Sequence, residues 1–582
     1  MLLTRGIRRV QVNTWVLLGV AIVWVAVNLR WIITYRRGQI LEIDEAGYIG
    51  MALNDHYAAV RDGVLGWIQA VEAPGIQAPV TPALTSLQFF VTGTSVVAAF
   101  IVPMLAGLAI VLLTHAVANR VAGRPFAWLA TALVATLPGV IVDSRAYHFG
   151  APAAAVTLAA IYFLIRSEGL TKTKSTIAFG VFVGLMPLTR TMIIAFVPAL
   201  VLAAFIQAVL AQDRKKRLIR FGAAAVAAVG VAAIWLIPNG AQVYRYLTGF
   251  GYGPQSAEYG TEAGIFNPAA WAYRLHLLTI EQYLPHVLFI CVGLVAAVFV
   301  AIRKLRGGQA KATVTAMIAS PLFPPAVLVV EGAMAFVTSK TTGNGFTLPL
   351  VPSMTLVALW GLYRVHVRLR KALPVVVAVI GVVALVPQLD LRAPTARLWE
   401  AELPVVGRVT VTDGRGVPQK YAGLGVESDA PQPVSAEAAK QWIVAADWAA
   451  QQIVDRHAIR GVTAFGFRDR IFNTNTVQLA VLRKLGYGVA VPQIRPIEAG
   501  NSQPDYERWL TRYQDSISGD ASTACLLFTA TGLNNEFLPK VDPPAMAAAA
   551  AATGFAPVAT HPLPNGRLVT LWHRPQPACV PS

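Results

Sequence analysis

The feature that most constrains this chain is a series of long apolar stretches before residue 390. A helix that crosses a bilayer needs about 20 mainly apolar residues. About eleven stretches fit that description: 14–34, 88–115, 126–142, 150–165, 175–189, 191–211, 221–237, 285–302, 312–337, 346–362 and 373–389. In lipid every backbone polar group needs an internal partner, so such stretches form helices. The expected fold is a polytopic α-helical membrane protein with about 11 transmembrane helices over 1–389, followed by a C-terminal extracytoplasmic α/β domain over 390–582. The first stretch is long and no small-residue cleavage site clearly follows it, so it reads as a retained anchor.

Charge placement supports this reading. Only 13% of residues are charged, against roughly 25% in soluble domains. That excludes an ordinary cytosolic enzyme and a disordered chain. The net charge is +18, which in a soluble protein would suggest nucleic acid. Yet 30 Lys/Arg and 13 Asp/Glu precede residue 390, while 18 and 17 lie from 390 onward. The excess belongs to the membrane part, and no nucleic-acid partner is expected. With the N-terminus in the cytoplasm, 21 of those 30 cations fall in cytoplasmic segments, as the positive-inside rule requires. An odd number of spans then places the C-terminal part outside. Most carboxylates of the membrane part, including Asp44, Glu45 and Asp143, fall at or near the outer face.

Beyond residue 390 helical patterns (436–457, 474–485, 505–513, 543–553) alternate with strand-like runs (461–467, 487–492, 525–531, 567–572). That alternation underlies the α/β expectation. Three cysteines are too few for a disulfide framework or zinc cluster. Cys525 and Cys579 are a disulfide candidate outside the membrane, and Cys291 is a packing residue inside a span.

Several outer segments carry residues suited to chemistry. The first is Glu42-Ile43-Asp44-Glu45-Ala46-Gly47-Tyr48, directly after the first span. Its carboxylates suit a base, a metal site or an N-cap; the plain alternative is that Asp44 caps a helix beginning at Glu45. A proline-rich segment, 73–84, leads into the second span. Asp143, Arg145 and His148 share a very short turn between spans, where such groups are costly unless paired or functional. Arg190 and Lys340 lie at outer boundaries, where snorkelling to head groups is the plain alternative. Tyr246, Phe250 and Tyr252 with neighbouring glycines read as an aromatic loop, either a sugar platform and gate or an interfacial belt.

Taken in order, the acidic motif at 42–48, the proline-rich segment, Gly184-Leu185-Met186-Pro187-Leu188-Thr189-Arg190 and the segment from Ser339 to Pro352 resemble the GT-C membrane glycosyltransferases. The resemblance is strongest to the branch of the protein O-mannosyltransferases and the lipid A aminoarabinose transferase, and it covers most of 10–365. Lys340 stands where many relatives have Arg, and the usual Pro-Pro pair is missing. The resemblance implies transfer of a sugar from a polyprenyl-phosphate carrier to a cell-envelope glycan, lipid or protein, outside the plasma membrane and among membrane lipids. Asp44 is then the expected general base, with Glu45 as its alternate or orienting partner. Arg145, His148, Arg190 and Lys340 are expected on the donor phosphate. Asp143, Tyr48, His56, Tyr252 and Asn344 are expected around the substrate. A lipid phosphate is already an anionic leaving group, so no cofactor is expected, although Asp44, Glu45 and Asp143 offer oxygen ligands for a divalent metal. A lipid transporter or flippase, or a non-catalytic envelope-assembly protein, are the competing classes. A transporter would show related halves and midplane charge, and only Glu331 answers to the latter.

Overall fold

Helix dominates every apolar stretch in the computed structural model, which describes residues 2–73, 75–253, 256, 267–306, 310–340, 345–389, 398–404, 406–413, 436–456, 462–467, 469, 471–488, 491, 500–511, 524–532 and 541–575. The chain begins with α1 (Leu2–Arg36), α2 (Ile43–Glu72), α3 (Val80–Thr92), α4 (Val96–Ala99), α5 (Ile101–Ala122), α6 (Arg124–Ala135) and α7 (Pro138–Asp143). It continues with α8 (Gly150–Arg166), α9 (Thr173–Thr189), α10 (Val197–Val209) and α11 (Arg214–Gly251). The last membrane elements are α12 (Pro268–Gln282), α13 (Leu284–Leu305), α14 (Ala310–Ala319), α15 (Phe323–Thr338), α16 (Val351–Val365) and α17 (Val367–Leu389).

Among the described residues six helices are long and apolar enough to cross a membrane, or seven if the α14–α15 pair, bent by 92°, counts as one span. The chain is a multi-pass membrane protein. Eleven full-length spans are not reached, and the reasons are local. Leu137 precedes Pro138 and is held extended (ψ 123), because a residue before proline avoids the α region; this splits 126–142 into two short helices. Gly93 takes φ +75 and Ser95 caps α4, accepting from the Ala98 amide. That moves the expected 88–115 span to Val96–Ala122. Helices α8 and α9 have 17 residues each, about 26 Å at 1.5 Å per residue, short of a bilayer core of about 30 Å. Conversely α11 runs for 38 residues through Pro238, although the sequence suggests an outer loop after Asn239. It is long enough to carry Tyr246 well past the apolar region.

Small residues set the closest helix contacts. A Cβ at Gly180 or Gly184 of α9 would fall 2.1 or 2.4 Å from the carbonyls of Ala224 and Ala228 on α11. Gly293 of α13 and Gly361 of α16 lock together in the same way. Without a hydrophobic drive inside lipid, such backbone approach is a main source of helix association.

The C-terminal part opens with an antiparallel hairpin, β1 (Leu398–Leu403) and β2 (Gly407–Asp413). There follow α18 (Ala436–Val454), β3 (Val462–Phe465), α19 (Thr474–Leu485), α20 (Gln503–Thr511), β4 (Ala524–Ala530), α21 (Pro543–Ala552), β5 (Ala556–Pro562) and β6 (Leu568–His573). The sheet order is β3-β4-β6-β5, with β3 and β4 parallel and the other pairs antiparallel. Phe465, Phe472, Phe528 and Trp442 form one apolar cluster; Tyr506, Leu527, Met546 and Phe555 form another. This part is docked directly on α2 and α12, two helices of the N-terminal part that are not among the candidate spans. Asn475 at the start of α19 donates to the Ile43 carbonyl of α2 (2.8 Å). The Thr410 amide of β2 donates to Thr279 of α12 (3.1 Å). Tyr283 donates to the Asp413 carbonyl (2.6 Å).

Candidate active site

The start of α2 decides what Asp44 can do. Glu42, not Asp44, is the N-cap: its carboxylate accepts the amides of Asp44 (3.0 Å) and Glu45 (3.2 Å), and Glu45 accepts the Glu42 amide in return (3.3 Å). This capping box satisfies the orphan donors of the first turn. It corrects the reading of Asp44 as a cap and leaves that carboxylate on the wall of a small cavity.

Glu45 points the other way. It is 1% exposed, ion-paired to Arg36 at the end of α1, and accepts the Tyr147 amide (3.0 Å). It clasps α1, α2 and the 143–150 turn together, and it does not line the Asp44 cavity.

That cavity, about 110 Å³, is lined by Asp44, Tyr48, Gln77, His148, Arg190 and Tyr246, among others. Five stretches distant in sequence meet here. The proline-rich segment is tied to the 190 turn by a hydrogen bond from Thr191 to the Ile76 carbonyl (2.7 Å). Tyr48 stacks on Phe149 (4.1 Å between centroids) and meets His148 edge-on (6.3 Å). His148 Nε2 lies 3.6 Å from Glu42 Oε2. Asp143 and Arg190 both approach Gly345, where a Cβ would lie 3.0 Å from Asp143 Oδ1 and 3.3 Å from Arg190 Nη1. Gly345 holds φ +67, a conformation that disfavours any side chain. Its amide donates to Glu281 (3.0 Å), which also accepts from Thr347.

Burial shapes the electrostatics. Asp44 is exposed at the cavity, yet the surrounding protein desolvates its carboxyl and raises it above its ordinary value, an effect that His148 and Arg190 partly offset. Burial and the adjacent Asp44 and Glu45 push Glu42 well above the carboxylate range. For Glu45, burial works upward too, but Arg36, His148 and the Tyr147 amide outweigh it and hold the group below its ordinary value. Burial pushes His148 down, against the pull of Glu45 and Asp44. One atom each from Glu42, Asp44 and His148 lie within 4.8 Å of one another, a grouping that could hold a metal ion. It differs from the Asp44, Glu45 and Asp143 set suggested by the sequence.

The structure thus brings Asp44, Tyr48, His148 and Arg190 into one cavity, with Asp143 beside Arg190. Other expected residues lie elsewhere. Arg145 is 1% exposed, donates to Asn28 (2.8 Å) and to the Gln388 carbonyl (2.9 Å), and sits over Trp31. It joins α1, α7 and α17 and does not line the cavity. His56 is buried between α2 and α3 with Nδ1 at 3.2 Å from the Ser86 carbonyl. The Lys340 amide donates to Gly251 (3.1 Å), and neither Lys340 nor the exposed Tyr252 lines the cavity. Asn344 lies outside the described residues. Cys525 is the second residue of the buried strand β4, and Cys579 lies outside the described residues. Cys291 is a free thiol, exposed on a membrane helix and not packed. Sequence reasoning missed Glu42 as cap, Gln77 and Glu281. Only Glu42 had a local signal, its position three residues before Glu45 in a capping-box pattern.

Residues 76–237 match the model of the dolichyl-phosphate-mannose-protein mannosyltransferase family. No curated protein matches the chain by sequence. Among solved structures, the chain is similar to ArnT from Cupriavidus metallidurans in the apo state, at 14% identity and TM-score 0.53, over 96% of this chain and 98% of that one. It is similar to the same protein bound to undecaprenyl phosphate at 15% identity and TM-score 0.50, over 97% and 99%. The chain thus has an ArnT-like fold, and residues 76–237 carry the sequence pattern of the dolichyl-phosphate-mannose-protein mannosyltransferase family.

Proposed function

We propose that the chain transfers a sugar from a polyprenyl-phosphate carrier to a cell-envelope acceptor, a glycan, lipid or protein, on the outer side of the membrane. What supports a lipid-phosphate donor is the family pattern over 76–237 and the similarity to ArnT, one structure of which contains undecaprenyl phosphate. The observation that carries the reading is Asp44. Its cap duty is taken over by Glu42, and its carboxylate shares a cavity with Arg190 and His148.

In this reading Asp44 removes the proton of the acceptor hydroxyl as its oxygen attacks the anomeric carbon. The bond from that carbon to the phosphate oxygen breaks on the opposite face, and the electron pair leaves with the lipid phosphate. Arg190 meets the charge growing there, with Asp143 setting its position. One base and one displacement give inversion at the anomeric carbon. The phosphate is already anionic, so no protonation of the leaving group and no metal is required. The cavity of about 110 Å³ is small for a sugar ligand, since ligand pockets run to roughly 300–1,000 Å³. Tyr246, at the far end of α11, is the element that would swing to admit the donor. The membrane unit over 1–389 does the chemistry, and the C-terminal α/β unit over 390–582 lies outside the membrane and covers it.

The test is Asp44→Asn in purified protein with synthetic polyprenyl-phosphate sugars. Loss of a general base costs about 10²–10⁴ in rate, so transfer should fall by that factor while donor binding persists. Transfer at the wild-type rate would overturn the base assignment. No transfer by the wild type with any such donor would overturn the enzymatic reading and favour a transporter or an assembly protein.

A further inference from the structure

A second and larger cavity, about 780 Å³, lies where the C-terminal part meets the end of α1. Ligand pockets fall mostly between about 300 and 1,000 Å³. The ends of two membrane helices contribute Ile33, Val96 and Val97, while α18 and α19 contribute Trp442 and Leu479. Polar groups converge on it as well. Arg36, Arg37 and Arg483 line it, with Asp447 as the opposing charge and Ser95 and Thr476 as hydroxyls.

Arg36 is the informative residue. It is 1% exposed, and its Nη2 holds Glu45. Its Nε and Nη1 have no hydrogen-bond acceptor among the described residues. A buried guanidinium with two unmet donors costs free energy unless an anion meets them.

We propose that this cavity binds the phosphate head of an anionic amphiphile. The head would be met by Arg36, Arg37 and Arg483, and the chains would lie along Ile33, Val96 and Val97. The location supports a lipid: α1 leaves its apolar span at Arg36, the level at which head groups lie. The site is separate from the Asp44 cavity, with no lining residue in common; Arg36 links the two regions only through Glu45, the sequence neighbour of Asp44. The proposal goes beyond sugar transfer and does not rest on it.

The experiment is native mass spectrometry of the full chain in uncharged detergent, with phosphatidic acid, diacylglycerol and inorganic phosphate as probes. Two variants accompany the wild type. Arg37→Gln with Arg483→Gln removes two exposed cations and leaves the Arg36–Glu45 pair intact. Ala446→Trp fills the cavity and keeps its charge. The wild type should retain phosphatidic acid at least tenfold better than diacylglycerol, and both variants should lose that preference while keeping the wild-type melting profile. Equal retention of the two lipids, or unchanged retention in the double Gln variant, would overturn the anionic head. Inorganic phosphate binding as tightly as phosphatidic acid would overturn the lipid.

Discussion

Two arginines, the buried Arg145 and the half-buried Arg190, do different jobs, and their surroundings say which. Arg145 is satisfied by Asn28 and Gln388 and covered by Trp31. Arg190 lines the Asp44 cavity. Arg190→Gln should lower kcat/KM about 10–100-fold, the value of a lost charged hydrogen bond of roughly 1.5–3 kcal/mol, with folding unchanged. Arg145→Gln should instead lower the melting temperature, because it strands buried partners. Steady-state kinetics and thermal unfolding on both variants separate the roles; the reverse pattern would count against them. The pH profile follows from Asp44. A base must be ionised, and desolvation by the surrounding cavity wall raises its pKa. kcat/KM should therefore fall as pH drops through an apparent value above the ordinary aspartate figure of about 4, with Glu42 and His148 titrating alongside as one coupled group. An acid limb at about 4 would place the base elsewhere.

At the scale of elements, the tight spots are helix contacts made by glycine. Gly184 of α9 faces the Ala228 carbonyl of α11 with no room for a Cβ, and α11 carries Tyr246 to the cavity. Gly184→Leu should cost roughly 1–3 kcal/mol by overpacking, and it should also displace Tyr246. Reduced thermal stability together with weakened donor binding is the expected result; reduced stability with normal binding would uncouple α11 from the site. The 345–350 turn is a second such element. Glu281 of α12 holds it through Gly345 and Thr347, which makes Glu281 a positioning residue for Asp143 and Arg190.

For the whole molecule, the question is which side faces which compartment. The cationic run Arg214–Arg217 opens α11, and the C-terminal part docks against α2 and α12 at the Asp44 end of the bundle. Lys215→Cys and Glu437→Cys should label from opposite sides in intact cells with a membrane-impermeant thiol reagent, Glu437→Cys from outside. Labelling of both from one side would overturn the orientation. Cys291 is replaced beforehand, because it is a free thiol.

Sequence by itself determined the solvent. Long apolar runs and a cationic excess confined to 1–389 leave only a helical membrane fold. It also pointed to His148, because polar residues beside lipid need a reason, and to Asp44 and Arg190 through the family resemblance of their segments. What only tertiary structure decided was the direction in which each side chain points. Glu42 took the cap and freed Asp44, Glu45 turned to Arg36, and Arg145 turned to Gln388, 243 residues away. Helix length followed the same logic: Pro138 broke one predicted span, while α11 ran through Pro238 to place Tyr246. Local pattern reports which residues dislike lipid or water. Which partner satisfies each of them depends on contacts between segments far apart in the chain, and those exist only once the helices have packed.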